Sequence, residues 1–441
     1  EIFDCLVGSE MCIRDSPEHA ASRAYLGRDE VTGGRVHAGA GRVNLIAVQD
    51  DAPHRKLCTD CGVSRTDDPG RCRYACQFIN PDYPRLEQRT HGRLRGTEGD
   101  IEPFFGVIEE MHQAALKPAR QGAQWTGITT RLGEALLASG EVTAVLCVGP
   151  DPEDKWRPVP HLITAAEDMA TCRGMRMGYA PLLELLEPAI AAGHKRLAVI
   201  GIPCQIYALR ALEPELALEH LVVIGTPCSD NTTTENFHEF LSLLDNDPEQ
   251  INYLEFMPDF HVELRYESGS KRRIPFLQLP IADLRDDFFP LTCRTCVDYV
   301  NTLSDITVGY MGGRGEQWVL VRNQRGKAIL EHIQSELSLT SPTSSGKRYS
   351  AVKGFIENTR RATGGLPLRK MPQWLRPIVG KIMPLTGPKG LEFARTRLEM
   401  KAAESILHLR RAAPKRLRTM IPEHVWKLAE PYGITAQEDE R

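Results

Sequence analysis

The sequence predicts an α/β fold with a largely parallel sheet core, a β-meander insertion and a loop-rich N-terminal segment organised by cysteines. Three observations carry that expectation. Helical and buried-strand patterns alternate from residue 101 to 228, apolar and polar residues alternate through 251–285, and eight of the twelve cysteines fall into two sets of four.

Residues 56–100 have little regular periodicity and end in the polar run EQRTHGRLRGTEGD, which reads as loop. From 101 onward IEPFFGVIEEMHQAALK has apolar residues at helical spacing, GITTRLGEALLAS repeats that character, and EVTAVLCVG is a short β-branched run of the kind found in buried strands. PLLELLEPAIAAG then reads as helix, RLAVIGIPC as a strand ending in a turn, QIYALRAL as helix, and HLVVIGTPC as a second strand ending in the same kind of turn. This alternation predicts parallel strands. It also sets Cys204 and Cys228 at the carboxyl ends of neighbouring strands, where α/β proteins usually place ligands. INYLEFM, HVELRYE and RRIPFLQL, around the Glu267-Ser268-Gly269-Ser270 turn, predict an antiparallel meander. Beyond about residue 335, SLTSPTSSGKR reads as a linker, and LPLRKMPQWLRPIVGKIMPLTGPKG is rich in proline and glycine.

Composition narrows the function classes. With 41% hydrophobic residues, 25% charged residues and a net charge of −4, the chain has ample apolar content for a core and no general basic excess for nucleic acid. No apolar run approaches the ~20 residues of a membrane-spanning helix. The first sixteen residues, EIFDCLVGSEMCIRDS, share no pattern with the rest of the chain; they read as a foreign, non-native segment and take Cys5 and Cys12 out of consideration.

The first cysteine set is local, with Cys58 and Cys61 in CTDC and Cys72 and Cys76 in CRYAC. The second comes from three segments: Cys204 in GIPCQ, Cys228 in GTPCSDN, and Cys293 and Cys296 in CRTC. Thiolates at CxxC spacing can turn two sulfurs toward one centre, and two sets of four satisfy the ligation of two cubane iron–sulfur clusters. Four-cysteine zinc sites use similar spacings, and zinc stays open for the first set; the second spans about ninety residues, unlike a local zinc knob. Disulfides fit poorly, since nothing here resembles a small secreted scaffold. Cys147, in AVLCVG, reads as a buried core thiol. Cys172, in TCRGMRMGYAP, reads as loop or as a neighbour of the active site. The expected organisation is an N-terminal iron–sulfur segment at 17–100, a catalytic α/β domain at 101–335 and a C-terminal extension at 336–441.

KLCTDCG, YACQF, TGITT, DPED, GIPCQIYALRAL, GTPCSDN, YLEFMPDFHVEL, CRTCVDYVNTLSDITVGYMG and GPKGLEFAR together resemble the family of deazaflavin-hydrogenase beta subunits. They look most similar to its chlorophyll-pigment branch, which holds ferredoxin-dependent divinyl chlorophyllide 8-vinyl reductases and 7-hydroxymethyl chlorophyll a reductases. The resemblance implies FAD and two [4Fe–4S] clusters, with the eight cysteines as ligands. Related sequences place a third cysteine just after the first CxxC; Ser64 stands there in this chain, and Cys72 is the expected replacement. The flavin is expected at Trp125, Thr126, Gly127, Ile128, Thr129 and Thr130, just ahead of a helix whose N-terminal amides can meet a pyrophosphate, with Arg173 as an added contact. A Thr-Gly-x-Thr before a helix also reads simply as an N-cap.

By resemblance, reduced ferredoxin supplies single electrons, the clusters relay them, and the flavin passes a pair to a chlorophyllide-type tetrapyrrole. The preferred reaction is reduction of the 8-vinyl group of divinyl (proto)chlorophyllide to ethyl. The alternatives are 7-hydroxymethyl reduction and service as an electron-transfer subunit of a larger hydrogenase or dehydrogenase. Asp230, Asp298 and Tyr310 are the candidate proton donors, each also readable as a structural hydrogen-bonding partner. The expected location is the cytoplasm of a photosynthetic bacterium or a plastid, with homo-oligomerisation allowed. The basic stretch ARTRLEMKAAESILHLRRAAPKRLRTMIP could lie on an anionic membrane or receive acidic ferredoxin; a helix packing on the core is the favoured reading.

Overall fold

The computed structural model describes residues 58–441 other than 258–260, 286, 310–315 and 363–371. The segment read as foreign, and Tyr310, lie outside the described residues. The cysteine-bearing entry carries α1 (Cys72–Ala75), α2 (Tyr83–His91) and the single turn α3 (Glu102–Phe105). Next come β1 (Glu110–Leu116), α4 (Ile128–Ala138), β2 (Ala144–Pro150), β3 (Pro158–Ile163), α5 (Leu186–Ala191), β4 (Arg196–Gly201), α6 (Pro203–Leu212), β5 (His220–Gly225) and α7 (Thr234–Leu244). The meander is β6 (Ile251–Phe256), β7 (His261–Tyr266) and β8 (Lys271–Pro275), an antiparallel three-stranded sheet as expected. The chain continues through α8 (Leu291–Arg294), β9 (Ile306–Gly309), β10 (Gln317–Val321), α9 (Gln324–Glu331) and β11 (Leu337–Thr340). It ends with β12 (Ser344–Ser345), α10 (Arg348–Arg361), α11 (Arg376–Thr386), β13 (Lys389–Gly390), α12 (Leu391–Ala412), α13 (Leu417–Met420) and α14 (Glu423–Ala429). No described helix is long and apolar enough to cross a membrane.

The main sheet has the order β11-β1-β10-β9-β5-β4-β2-β3. Its centre, β9-β5-β4-β2, is parallel, and antiparallel strands extend it on both sides. The registers Ile200↔Ile224 and Gly201↔Gly225 align the ends of β4 and β5, so Cys204 and Cys228 leave the sheet from equivalent points. β-branched residues fill both strands because each is covered on both faces. Val199 and Val223 face one apolar cluster, whereas Ala198, Val222 and Ile224 face another.

Two sequence expectations fail for the same reason. Residues 101–117 were expected to be helix, but only α3 forms before Gly106, at φ 76°, and 110–116 become strand β1. SLTSPTSSGKR was expected to be a linker, yet Leu337–Thr340 form the edge strand β11 against β1. In both places hydrogen-bonding partners distant in sequence outweigh local pattern. The basic C-terminal stretch packs on the core, as the favoured reading expects, but much of its charge is buried rather than solvated. Arg395, Glu399, Lys401, Glu404 and His408 of α12 are buried, and α12 packs among apolar residues of α10, α14 and the 299–320 region.

A buried ion pair ties the centre together. Arg210, on α6, and Asp305, just before β9, are both fully buried at 2.8 Å. Asp305 also accepts from the Val223 amide at 2.8 Å and from Asn323 at 2.8 Å, while Arg210 donates to the Leu303 carbonyl at 2.9 Å. Burial alone would raise the Asp305 pKa, but Arg210, Arg325 and these hydrogen bonds outweigh it and hold it below its ordinary value. Arg210→Met should therefore cost up to about 3–5 kcal/mol by leaving the buried carboxylate only the partly exposed Arg325 as counter-charge, read from the denaturant midpoint. Because the folded pKa is depressed, the Asp305 contribution is complete above the unfolded value of ~4 and is lost as pH falls through the folded value. Asp305→Asn should accordingly flatten the acid limb of the stability–pH curve.

Candidate functional site

The second cysteine set is gathered from three places. Cys204 is the second residue of α6, after Pro203 at the first helical position. Cys228 lies just past the end of β5, and its amide donates to the Tyr299 carbonyl at 3.0 Å. Cys293 lies in α8, and the Cys296 amide closes a turn onto the Cys293 carbonyl at 3.1 Å. Asn301, buried and held at φ 58°, donates from one amide nitrogen to the carbonyls of Gly201 and Thr226 at 2.8 and 3.2 Å. It thereby pins the 293–301 segment across both strand ends. The outcome is one cavity lined by Cys204, Cys228, Cys293 and Cys296 together with Gln77 and Asp230.

The first set is built against the second. Cys72 opens α1 and Cys76 comes directly after its last residue, four positions on and therefore on the same helical face. Cys58 and Cys72 are charge neighbours of Cys76, and Cys58, Cys76 and Cys204 are charge neighbours of Cys61. Ser64 is exposed, whereas Cys61 and Cys72 both pack against the same apolar cluster. Gly62, at φ 106°, permits this docking: a Cβ there would stand 2.5 Å from the Glu184 amide nitrogen and 2.6 Å from that of Leu183. The Leu183 amide donates to the Cys61 carbonyl at 2.9 Å.

Gln77 joins the two sets. Next in sequence to Cys76, it points its side-chain nitrogen at the Cys296 sulfur at 3.6 Å and accepts from the Tyr83 hydroxyl at 2.7 Å. Burial pushes the Cys76 thiol up to about 11, Cys204 to about 12 and Cys296 to about 11, and raises Cys61, Cys228 and Cys293 as well. Buried thiols resist ionisation by themselves, and coordination to a metal reverses that, because a bound thiol is deprotonated outright. Among the described residues no three His, Cys, Asp or Glu side chains converge on a single ion. The four cysteines Cys204, Cys228, Cys293 and Cys296 do line one cavity.

Helix α12 contacts two of the residues that line that cavity, Cys296 and Asp230. The Ser405 hydroxyl donates to the Cys296 carbonyl at 3.1 Å, and Lys401 pairs with Asp230 at 2.9 Å and Glu404 at 3.5 Å. Glu404 in turn meets His408 at 3.3 Å. Asp298 is used locally: it accepts from the Thr302 amide and hydroxyl at 3.0–3.1 Å. Sequence reasoning missed Gln77 and Lys401. Gln77 carried a signal in standing next to a cysteine, but Lys401 lay in a stretch whose charge suggested solvent.

The segment expected to hold a flavin forms the entry to α4. Gly127 is its N-cap at φ 89°, where a Cβ would crowd Ala123 and Arg120 at 2.9 Å. The Thr126 hydroxyl accepts from the Leu116 amide and donates to Gln317, which also accepts from the Ile128 amide. The Trp125 amide donates to Glu255 at 2.7 Å. Thr129 and Thr130 stand in the first turn of α4, where backbone amides have no intrahelical acceptor; Thr129 is half-buried and Thr130 buried. Arg173 is brought to the same helix, pairing with Glu134 of α4 at 2.9 Å and reaching the Gln121 carbonyl.

Two family models match the chain, the coenzyme F420 hydrogenase/dehydrogenase beta subunit N-terminal region over 111–187 and its C-terminal region over 194–345. An uncharacterized protein of Nostoc sp. is 37% identical, with 87% of this chain and 95% of that protein covered. The chloroplastic 7-hydroxymethyl chlorophyll a reductase of Oryza sativa is 36% identical, with 86% of this chain and 83% of that protein covered. The beta subunit of the coenzyme F420 hydrogenase from Methanothermobacter thermautotrophicus is 23% identical, with 56% of this chain and 91% of that protein covered. With both regions of the family matched in order, on the segments that carry Thr129, Arg173 and the second cysteine set, the chain belongs to the coenzyme F420 hydrogenase/dehydrogenase beta-subunit family.

Proposed function

We propose that this protein is a ferredoxin-dependent reductase of a chlorophyll-type tetrapyrrole, carrying FAD and two [4Fe–4S] clusters. The observation that carries the reading is the junction of the two cysteine sets. Four cysteines from three segments line one cavity, and Cys204 of that set neighbours Cys61 and Cys76 of the other. Two thiol sets at such a junction suit stepwise electron passage. The similarity to the rice pigment reductase over most of both chains supports a tetrapyrrole as acceptor.

In this reading Cys204, Cys228, Cys293 and Cys296 hold one cluster, and Cys58, Cys61, Cys72 and Cys76 hold the other. The exposure of Ser64 and the closeness of Cys72 to Cys76 support Cys72 as the fourth ligand. The amides of Thr129 and Thr130, with Arg173, would meet the flavin pyrophosphate, while Trp125, Thr126, Gly127 and Ile128 shape the turn that presents them. Bound flavin and clusters would supply hydride and single-electron chemistry, and the chain supplies placement and exclusion of water. Asp230 is the candidate proton donor that lines the cysteine cavity; Asp298 is turned toward Thr302.

We take the reaction to be reduction of the 8-vinyl group of divinyl (proto)chlorophyllide to ethyl. A second reading, reduction of a 7-hydroxymethyl group, is favoured by the name of the rice relative. An anaerobic assay of reconstituted protein with reduced ferredoxin decides between them. Divinyl chlorophyllide should be converted to its monovinyl form with a shift of the Soret band; conversion of 7-hydroxymethyl chlorophyll a alone would select the second reading, and turnover of neither by fully loaded protein would overturn both. Cys72→Ser should remove one cluster's share of iron and bleach part of the visible absorbance while leaving the second set loaded. Unchanged iron per chain would remove Cys72 from the ligand set.

A further inference from the structure

Outside the two cysteine sets, two other thiols face each other. Cys147 lies within β2 and is 3% exposed, while Cys172 ends the 3₁₀ helix Ala166–Cys172 and is partly exposed. Their sulfurs are 3.3 Å apart, the Cys147 thiol directed at Cys172. The surroundings hold the pair in place. Met169 of the 3₁₀ helix is buried against Gly133 of α4, and Gly149 of β2 leaves the space taken by the His161 ring and the Cys172 sulfur. Closing a bond requires the sulfurs to approach by about 1.3 Å more, since a disulfide is ~2.0 Å long.

The two thiols are unequal. The hydrogen bond from Cys147 lowers the pKa of Cys172, with Thr171 and Arg176 assisting, and the same bond together with burial raises that of Cys147. Cys172, the more exposed residue of the pair, is thus placed to act first as nucleophile, and buried Cys147 to act after it.

We propose that Cys147 and Cys172 form a redox-active dithiol that closes reversibly to a disulfide by exchange with an external disulfide. Cys172, as thiolate, attacks one sulfur of the external disulfide and expels the other as a thiolate, leaving a mixed disulfide on Cys172. Cys147 gives up its proton and attacks the Cys172 sulfur, and the second external thiol departs. Two electrons pass from the pair to the external disulfide, which ends as two thiols. The new bond ties the 3₁₀ helix to β2 and fixes the chain immediately before Arg173, whose guanidinium pairs with Glu134 of α4. This chemistry stands apart from the pigment reaction and does not depend on it.

The test equilibrates the cluster-loaded full chain anaerobically in glutathione buffers graded from reduced to oxidised, with acid quench, alkylation and peptide mapping after each. The expected result is a linked 147–172 peptide pair, lighter by two hydrogens, that appears with oxidation and disappears with dithiothreitol. Cys147→Ser should trap Cys172 as its glutathione adduct, and Cys172→Ser should leave Cys147 a free thiol. Free, separately alkylated Cys147 and Cys172 across the whole series would overturn the proposal, as would glutathione on Cys147 in the Cys172→Ser protein. Iron content of each variant, unchanged from the parent, verifies that the fold is retained.

Discussion

The contact between Arg210 and Asp305 is the constraint on which the cysteine cavity depends. Asp305 accepts from the β5 backbone, from Arg210 on α6 and from Asn323 beyond β10, and it stands just before β9. Those elements are the ones that deliver Cys204, Cys228, Cys293 and Cys296. A buried pair of this kind is a poor source of net stability, since desolvation cancels much of its attraction. Its value lies in direction. Each of the Asp305 partners has a fixed approach, so α6 cannot slide against β5, and the 293–305 segment cannot shift against either.

Polar residues repeat that logic behind Asp230, which lines the cavity. Along α12, Lys401, Glu404 and His408 succeed one another at helical spacing and continue the Asp230 carboxylate into the helix. A helix carrying so many charges would ordinarily face solvent. Here Lys401 lies between the Asp230 and Glu404 carboxylates, and burial lowers the pKa of His408 beside Glu404; pairing of this kind is the condition under which ionic side chains tolerate burial. The helix lies beyond the segments matched by the family models, yet it contributes Ser405 and Lys401 to the surroundings of Cys296 and Asp230.

The thiols divide by what surrounds them. Those of the two sets crowd other thiols from distant segments, and burial raises the pKa of Cys61, Cys76, Cys204, Cys228, Cys293 and Cys296. Cys147 and Cys172 crowd only each other. Sequence spacing separated the eight from the rest because CxxC is a local pattern, and the strand-end positions of Cys204 and Cys228 came from the parallel β4–β5 pairing. The contact of Cys147 with Cys172 left no such mark, because strand β2 and the 3₁₀ helix meet only in three dimensions.

Sequence alone determined the elements with strong local signals: the apolar strands β4 and β5, helices α4 and α6, the meander with its Gly269 turn, and the two sets of four cysteines. These are settled by residue patterning over one or two turns, where periodicity and burial agree. Tertiary structure decided the rest. It made strand of 110–116 and of Leu337–Thr340 by supplying ladder partners from far along the chain, buried the charged face of α12 by supplying counter-charges, and set Gln77 between the two cysteine sets. In each case the deciding energy is a contact between residues that the sequence keeps apart, and local pattern carries no record of it.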